Sequence, residues 1–332
     1  KISYYLSKKW GITNADSDQD GFTDGEEITY GSIPSDPSSK IKIDFSSTVH
    51  GEINNGTDDL NSIEGNLKLW LDAKNINADY NNGISDNSGI ARWFDLSGSG
   101  NVAVQSNTSK QPIYTTANNS INFNGSNQYF TIPNNPGFKE NKFEYFIVTE
   151  YKGDANATSQ SNYGSPFTKR TWPTNGHNIL AIGETWRFWT MSGSTFNEAA
   201  LNMPSSTSQN TLINATFENS SAMLIQNGHR SVEKTMTYIP NTARNLFVGS
   251  STNTGIDDPL FFYKGTIKEL IYFNKKLTSQ EKIKINYYLS KKWGLQANMD
   301  SDNDGYTDAE EVAYGSSPID SNSKIKTDLS DI

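Results

Sequence analysis

The sequence predicts a mainly β fold: a two-sheet antiparallel jelly-roll sandwich closed by a C-terminal helix, with short helical linkers on either side. Three observations predict it. Aromatic residues reach 12% of 332, with 16 Tyr, 16 Phe and 7 Trp, a composition that suits strands. Short alternating runs recur between clusters of Asn, Ser, Thr and Gly, as strands do between turns. Finally, the acidic string DSDQDGFTDGEE (16–27) returns as DSDNDGYTDAEE (300–311), bracketing the strand-rich region.

The bulk numbers narrow the classes. Net charge is −9, yet with the twelve acids of the two strings set aside, 25 acids face 28 basic residues. The acidity is therefore local, and no concentrated basic face points to nucleic acid. Cysteine is absent, which excludes disulfides, thiol catalysis and a Cys-based zinc site. No apolar run approaches the ~18 residues of a membrane span. The chain opens at KISYY without a secretory leader, which reads as a fragment or processed product.

The repetition extends beyond the acidic strings. KISYYLSKKWGI (1–12) matches KIKINYYLSKKWGL (282–295) at an offset of 283, aligning Trp10 with Trp293. EEITYGSIPSDPSSKIKIDFS (26–46) matches EEVAYGSSPIDSNSKIKTDLS (310–330) at an offset of 284. A linker plus a domain thus reads as one unit that recurs in a longer parent. The predicted division is 1–13, the terminal helix of a preceding repeat; 14–46, a linker; 47–294, the sandwich; and 295–332, a second linker.

Each string has the spacing of a calcium loop. Acids stand at positions 1, 3, 5, 9 and 12 and glycine at 6, so alternate side chains turn inward around one ion. The predicted ligands are Asp16, Asp18, Asp20, Phe22 through its carbonyl, Asp24 and Glu27. Their counterparts are Asp300, Asp302, Asp304, Tyr306 through its carbonyl, Asp308 and Glu311. A solvated acidic loop at a helix start is the blander reading, but so many carboxylates in one turn repel each other without an ion. The preceding helix stops several residues before the first Asp, so these are not ordinary EF-hands. The D-x-D-x-D-G-[FY]-x-D-x-E-E run, with the short helix and YGS that follow, resembles the thrombospondin type 3-like calcium repeats of bacterial surface proteins. That resemblance adds Asp36 and Asp320 as candidate ligands, where SIP and SSP replace the family's Thr-Asp-Pro.

In the middle, Leu67, Leu69 and Leu71 alternate along a first strand. SINFNGSNQYFTI (120–132) gives two runs around an Asn-Gly-Ser-Asn turn. FEYFIVTEY (143–151) is an unbroken apolar strand. AMLIQNGHRSVEK (222–234) is a hairpin with Asn227-Gly228 at its tip. TIKELIYFNKKL (266–277) is a last strand and turn, and Thr278-Ser-Gln-Glu281 caps the helix that ends at Gly294. NLKLWLDAKNIN (66–77), WFDLSGSGNVAVQ (93–105), INFNGSNQYF (121–130) and the strand-plus-helix ending (267–295) resemble the laminin-G-like, concanavalin A-like lectin/glucanase domains of bacterial exported proteins. The resemblance implies a jelly roll and no particular ligand.

Catalysis is not expected. The glucanases of that fold carry an E-x-D-x-(x)-E run, which the middle domain lacks, and its histidines have no nucleophile motif beside them. Binding is better supported. NYGSPFTKRTWPTNGHN (162–178) reads as a loop mixing Tyr163, Arg170, Trp172 and His177, a surface able to stack sugars. Asp257 and Asp258 are rim candidates for a bridging calcium, while Trp172, Trp186 and Trp189 read better as core or loop-anchoring aromatics than as sugar-stacking ones. Asp95 and Asn101 fit an Asx turn better than a cation site. The expected function is a calcium-stabilised repeat of a large extracellular protein on the bacterial cell surface. Its partners are a glycan or surface protein and neighbouring repeats. The alternative is a purely structural subunit of a filament, stalk or surface array.

Overall fold

The computed structural model of the chain describes residues 15, 17, 24, 35, 65–153, 162–202, 209–255 and 258–325. Numbered along the chain, one eight-stranded antiparallel sheet holds β1 (Leu67–Asp72), β4 (Ile113–Thr115), β5 (Ser120–Asn124), β7 (Phe143–Tyr151), β12 (Thr211–Glu218), β13 (Ser221–Gln226), β14 (Arg230–Thr235) and β18 (Lys264–Phe273). The second holds β2 (Arg92–Phe94), β3 (Val102–Val104), β6 (Phe130–Ile132), β8 (Gly164–Thr171), β9 (Asn175–Ile182), β10 (Thr185–Ser192), β11 (Thr195–Asn202) and β15 (Leu246–Val248). A small pair, β16 (Ser251–Thr252) and β17 (Pro259–Leu260), lies beside them. Helices α1 (Ser279–Trp293) and α2 (Asp308–Tyr314) follow.

The first sheet runs β14-β13-β12-β7-β18-β5-β4 and the second β11-β10-β9-β8-β15-β6-β3-β2. Strand β18 has two neighbours on one side: Lys264 to Ile267 pair with β5, while Glu269 to Phe273 pair with β1. A bulge between Ile267 and Glu269 separates the two halves. The turn in SINFNGSNQYFTI is a corner rather than a hairpin, because β5 belongs to one sheet and β6 to the other. The Asn124 side chain shapes that corner, accepting from the backbone N–H groups of Ser126 and Asn127 at 2.9 and 3.1 Å. The predicted 222–234 hairpin forms as β13 and β14, with Gln226 opposite Arg230.

Aromatic rings fill the space between the sheets. Tyr145 stands 5.1 Å from Phe167 across the interface and stacks on Tyr272 at 6.1 Å within its own sheet. Phe143 meets Phe188 edge-on at 6.2 Å. Each such pair adds about 0.5–1.5 kcal/mol beyond its buried area. Strand β7 is apolar on both faces because its other face lies under α1, where Phe146 meets Phe273. The buried acid Glu144 on that face binds Lys282 of α1 at 3.1 Å and accepts from the Leu277 N–H. Helix α1 starts in the predicted capping box, with Thr278 and Glu281 each accepting from the other's backbone N–H.

Candidate functional site

The second acidic string folds as a tight loop ahead of α2. Asp300, Asp302 and Asp304 converge, with one carboxylate oxygen from each within 4.8 Å of the others. Asp300 shapes the turn by accepting from the N–H groups of Asp304 and Gly305 at 3.1 and 3.0 Å. Gly305 sits at φ +104°, the conformation that position 6 of such a loop requires. Asp304 accepts from the Tyr306 N–H at 3.0 Å, which orients the residue whose carbonyl is a candidate ligand.

Four further oxygens have no hydrogen-bond partner. Both oxygens of Asp302, Oδ2 of Asp304 and Oε2 of Glu311 are buried without a hydrogen bond. Buried orphan acceptors cost stability unless something satisfies them. Burial and the neighbouring carboxylates push Asp302 up to about 7 and Glu311 up to about 8. A hard divalent cation would use these oxygens and cancel the repulsion, so the residues fit calcium.

The structure does not bring Asp308 into that cluster. Its two oxygens accept from the backbone N–H and the hydroxyl of Ser301, both at 2.9 Å, so it braces the loop across its mouth. Asp320 is exposed and accepts from Asn322 in its own turn. In the first string only Ser17 and Asp24 are described, with Ala15 just before them, and they repeat the same brace. Asp24 accepts from the Ser17 N–H at 2.9 Å and its hydroxyl at 2.7 Å. The Asp24 N–H reaches the Ala15 carbonyl at 2.6 Å, as that of Asp308 reaches Met299 at 2.7 Å. Asp16, Asp18, Asp20, Phe22, Glu27, Asp36 and the predicted terminal helix over 1–13 lie outside the described residues.

The loop sits on the sandwich and does not hang from it. Met299 is fully buried in the main core, and Asn286 of α1 reaches the Ser301 carbonyl at 3.3 Å. The β13–β14 tip supplies the other wall: the Asp300 N–H donates to the Asn227 carbonyl at 3.2 Å. Gly228 fits beneath Asp300 only because it has no side chain. A Cβ there would lie 2.0 Å from the Asp300 carbonyl oxygen, at a φ of +79°. Gly228→Ala is therefore expected to weaken calcium binding by at least ~10-fold through displacement of Asp300, with the far-UV circular dichroism of the sandwich retained. Calorimetric titration checks it; an unchanged affinity would separate the loop from the hairpin.

The predicted ligand surface needs two corrections. The stretch 162–178 is not a loop: most of it forms β8 and β9, joined by a tight turn at Trp172-Pro173-Thr174. It looks loop-like because its polar residues are buried. Lys169 turns inward to Asn134 and the Arg244 carbonyl, at 2.6 Å each. His177 also points inward, stacked 4.2 Å from Phe143 and 1% exposed, where no external ligand meets it. Burial pulls its pKa down to about 3, so the ring is neutral. Asp257 lies outside the described residues, and Asp258 is exposed beside β17.

Tyr163, Arg170 and Trp172 do come together, on the outer face of the second sheet. Tyr163 and Trp172 join Leu180, Trp189, Met191 and Phe261 in an apolar cluster separate from the core, and the Arg170 guanidinium lies over its rings. Phe196, 47% exposed, continues it at 5.1 Å from Trp172 and 5.2 Å from Trp189. Trp189 is anchored through its Nε1–H to Glu198 at 2.6 Å, and Arg187 holds the same carboxylate at 2.9 Å. Trp186 is a core residue. Phe196 and Phe261 were not expected on this face, and Trp189, which reads in sequence as a core or loop anchor, belongs to it. Asp95 forms the expected turn, accepting from the N–H groups of Trp70, Ser97 and Asn101.

Residues 16–37 and 300–321 match the Bacterial TSP3 repeat family. No curated protein matches the sequence. Among solved structures, the chain is similar to the binding domain of botulinum neurotoxin DC in complex with rat synaptotagmin II. Identity is 12% and the TM-score 0.48, over 69% of this chain and 52% of that one. The botulinum neurotoxin serotype D binding domain gives 15% and 0.47, over 70% and 52%. The chain thus spans about half the length of these neighbours. Scores this low at such identity transfer neither ligand nor mechanism.

Proposed function

We propose that this chain is a calcium-stabilised repeat unit of a large extracellular bacterial surface protein, adhering to a glycan or surface protein through its sandwich. The observation that carries the reading is the set of buried, unpartnered carboxylate oxygens on Asp302, Asp304 and Glu311. They lie within the second of two stretches that match a bacterial repeat family. Calcium completes that shell and seats the loop on the β13–β14 tip and α1, fixing the direction in which the chain leaves the sandwich.

The reading of the sandwich as laminin-G-like and concanavalin A-like rests on its quoted motifs and the strand-plus-helix ending. Adhesion is supported by the outer aromatic cluster, where Phe196 is exposed and Tyr163, Trp172 and Phe261 are half-buried, so that ring surface meets solvent. We assign no catalytic step. The test is an array of glycans and surface proteins probed with the full chain in calcium and in chelator. The expected result is calcium-dependent capture by a restricted set of spots. Capture of nothing, together with ordered assemblies under the electron microscope, would replace adhesion with a structural role.

A further inference from the structure

Arg170 is the anomaly of the outer face. Its side chain is 1% exposed, and its guanidinium lies 5.2 Å from Trp172, 5.5 Å from Phe261 and 5.7 Å from Trp189. Nε and Nη1 are buried without a hydrogen-bond partner, and none of the ion pairs among the described residues includes it. Burial alone acts on its pKa, pulling it down to about 9. The three rings stabilise the cation but leave the N–H donors unsatisfied. A Met or Leu would fill the same volume without that penalty, so the stability of the free chain gives no reason for an arginine here.

A carboxylate does give one. The guanidinium fork pairs with a planar carboxylate through two parallel hydrogen bonds. Around it stands an aromatic platform with exposed edges at Phe196 and Trp172. Trp172 belongs to the β8–β9 turn and Phe261 follows β17; rotation of either side chain leaves the backbone bonds of the Trp172 N–H to the Asn253 carbonyl and of the Ser165 N–H to the Phe261 carbonyl in place. Trp189 stays fixed by Glu198.

We propose that the outer face of the second sheet binds an acidic saccharide, with sugar rings stacked on Trp172 and Phe196 and the sugar's carboxylate paired with Arg170. The proposal rests on the adhesive reading and narrows its ligand class. A neutral sugar would leave the guanidinium unsatisfied, and a purely apolar partner would bury it deeper.

The test uses the full chain in calcium, titrated with a short oligogalacturonate and with a neutral oligosaccharide of equal length, read by calorimetry and tryptophan fluorescence. The uronate is expected to bind at least ~10-fold more tightly than the neutral sugar. Arg170→Met should remove that preference and also raise Tm by about 2–4 °C, because an unpaired buried charge is gone. Phe196→Ala, at an exposed position, should weaken both sugars by ~5-fold or more while leaving Tm in place. Equal affinity for the two sugars, or unchanged uronate binding by Arg170→Met, overturns the carboxylate assignment and leaves glycan adhesion standing. An Arg170→Met variant that melts lower makes Arg170 a structural residue and also overturns it. Binding of neither sugar, with capture of some other glycan or protein on the array, overturns this proposal alone. An empty array takes the adhesive reading with it.

Discussion

Asp302→Asn is expected to weaken calcium binding at the second loop by ~100-fold or more, since it removes a charge from a shell of few carboxylates. Asp302 contributes two of the buried orphan oxygens, and an amide offers calcium one neutral oxygen in their place. With the ion at a hundredfold excess over Kd, wild-type stabilisation is about 2.7 kcal/mol, or roughly 5–10 °C in Tm. The variant should lose most of that gain and, without calcium, melt no lower than wild type, because it relieves repulsion. Calorimetry and thermal scans in calcium and in chelator check both halves. A variant that binds calcium like wild type would remove the loop as the metal centre.

The pH dependence has a definite sign. In the metal-free chain, burial first and mutual repulsion second hold Asp302 near 7 and Glu311 near 8, above the ordinary carboxylate value near 4. The folded loop then binds more protons than the unfolded chain between those limits. Its stability is fully present below about 4 and is lost as pH rises through about 7 and 8. Calcium requires ionised ligands, so affinity rises with pH over the same window and binding releases protons. Titration in two buffers of different ionisation enthalpy measures that release.

Features set by neighbours in the chain were legible in the sequence. The loop that gathers Asp300, Asp302 and Asp304 is written in one spacing, the α1 start in Thr278 and Glu281, and the β13–β14 turn in Asn227-Gly228. Features set by distant contacts were not. One local feature was hidden as well: a carboxylate at position 9 reads as a ligand, although Ser301 in the same string takes both Asp308 oxygens and turns it into a brace. His177 reads as a surface residue because nothing nearby in sequence announces Phe143 as its neighbour, just as nothing there announces Asn134 and Arg244 as partners of Lys169. The corner between β5 and β6 looks like a hairpin tip because partner choice lies with β18 and β15, more than a hundred residues onward. Gly228 has two roles, and only the turn was readable; its contact with Asp300 needs the fold.

Glu269→Ala is expected to cost the largest amount of stability of any single change here, about 3–5 kcal/mol. Glu269 is buried where β18 meets α1 and holds four groups at once. It accepts from the indole N–H of Trp70 at 2.7 Å, of Trp293 at 2.5 Å and from Tyr288 at 3.2 Å. Lys292 pairs with it at 2.9 Å and with Asp72 at 2.6 Å. Burial raises the Glu269 pKa and Lys292 opposes that rise, while the two acids hold Lys292 charged. Alanine leaves a buried ammonium with one partner fewer and two buried indole donors with none, which is why the cost exceeds that of an ordinary ion pair. Tm should fall by roughly 10 °C, with Glu269→Gln in between because it keeps an acceptor but loses the charge. Hydrogen exchange should localise the damage to α1. Since α1 also holds Asn286 against the loop, calcium affinity should drop at a site that Glu269 does not touch. Tyr5, Lys9 and Trp10 repeat the identities of Tyr288, Lys292 and Trp293 in the N-terminal copy of the sequence. A Glu269→Ala chain that melts within a degree of wild type would mean that α1 is held by its apolar face alone.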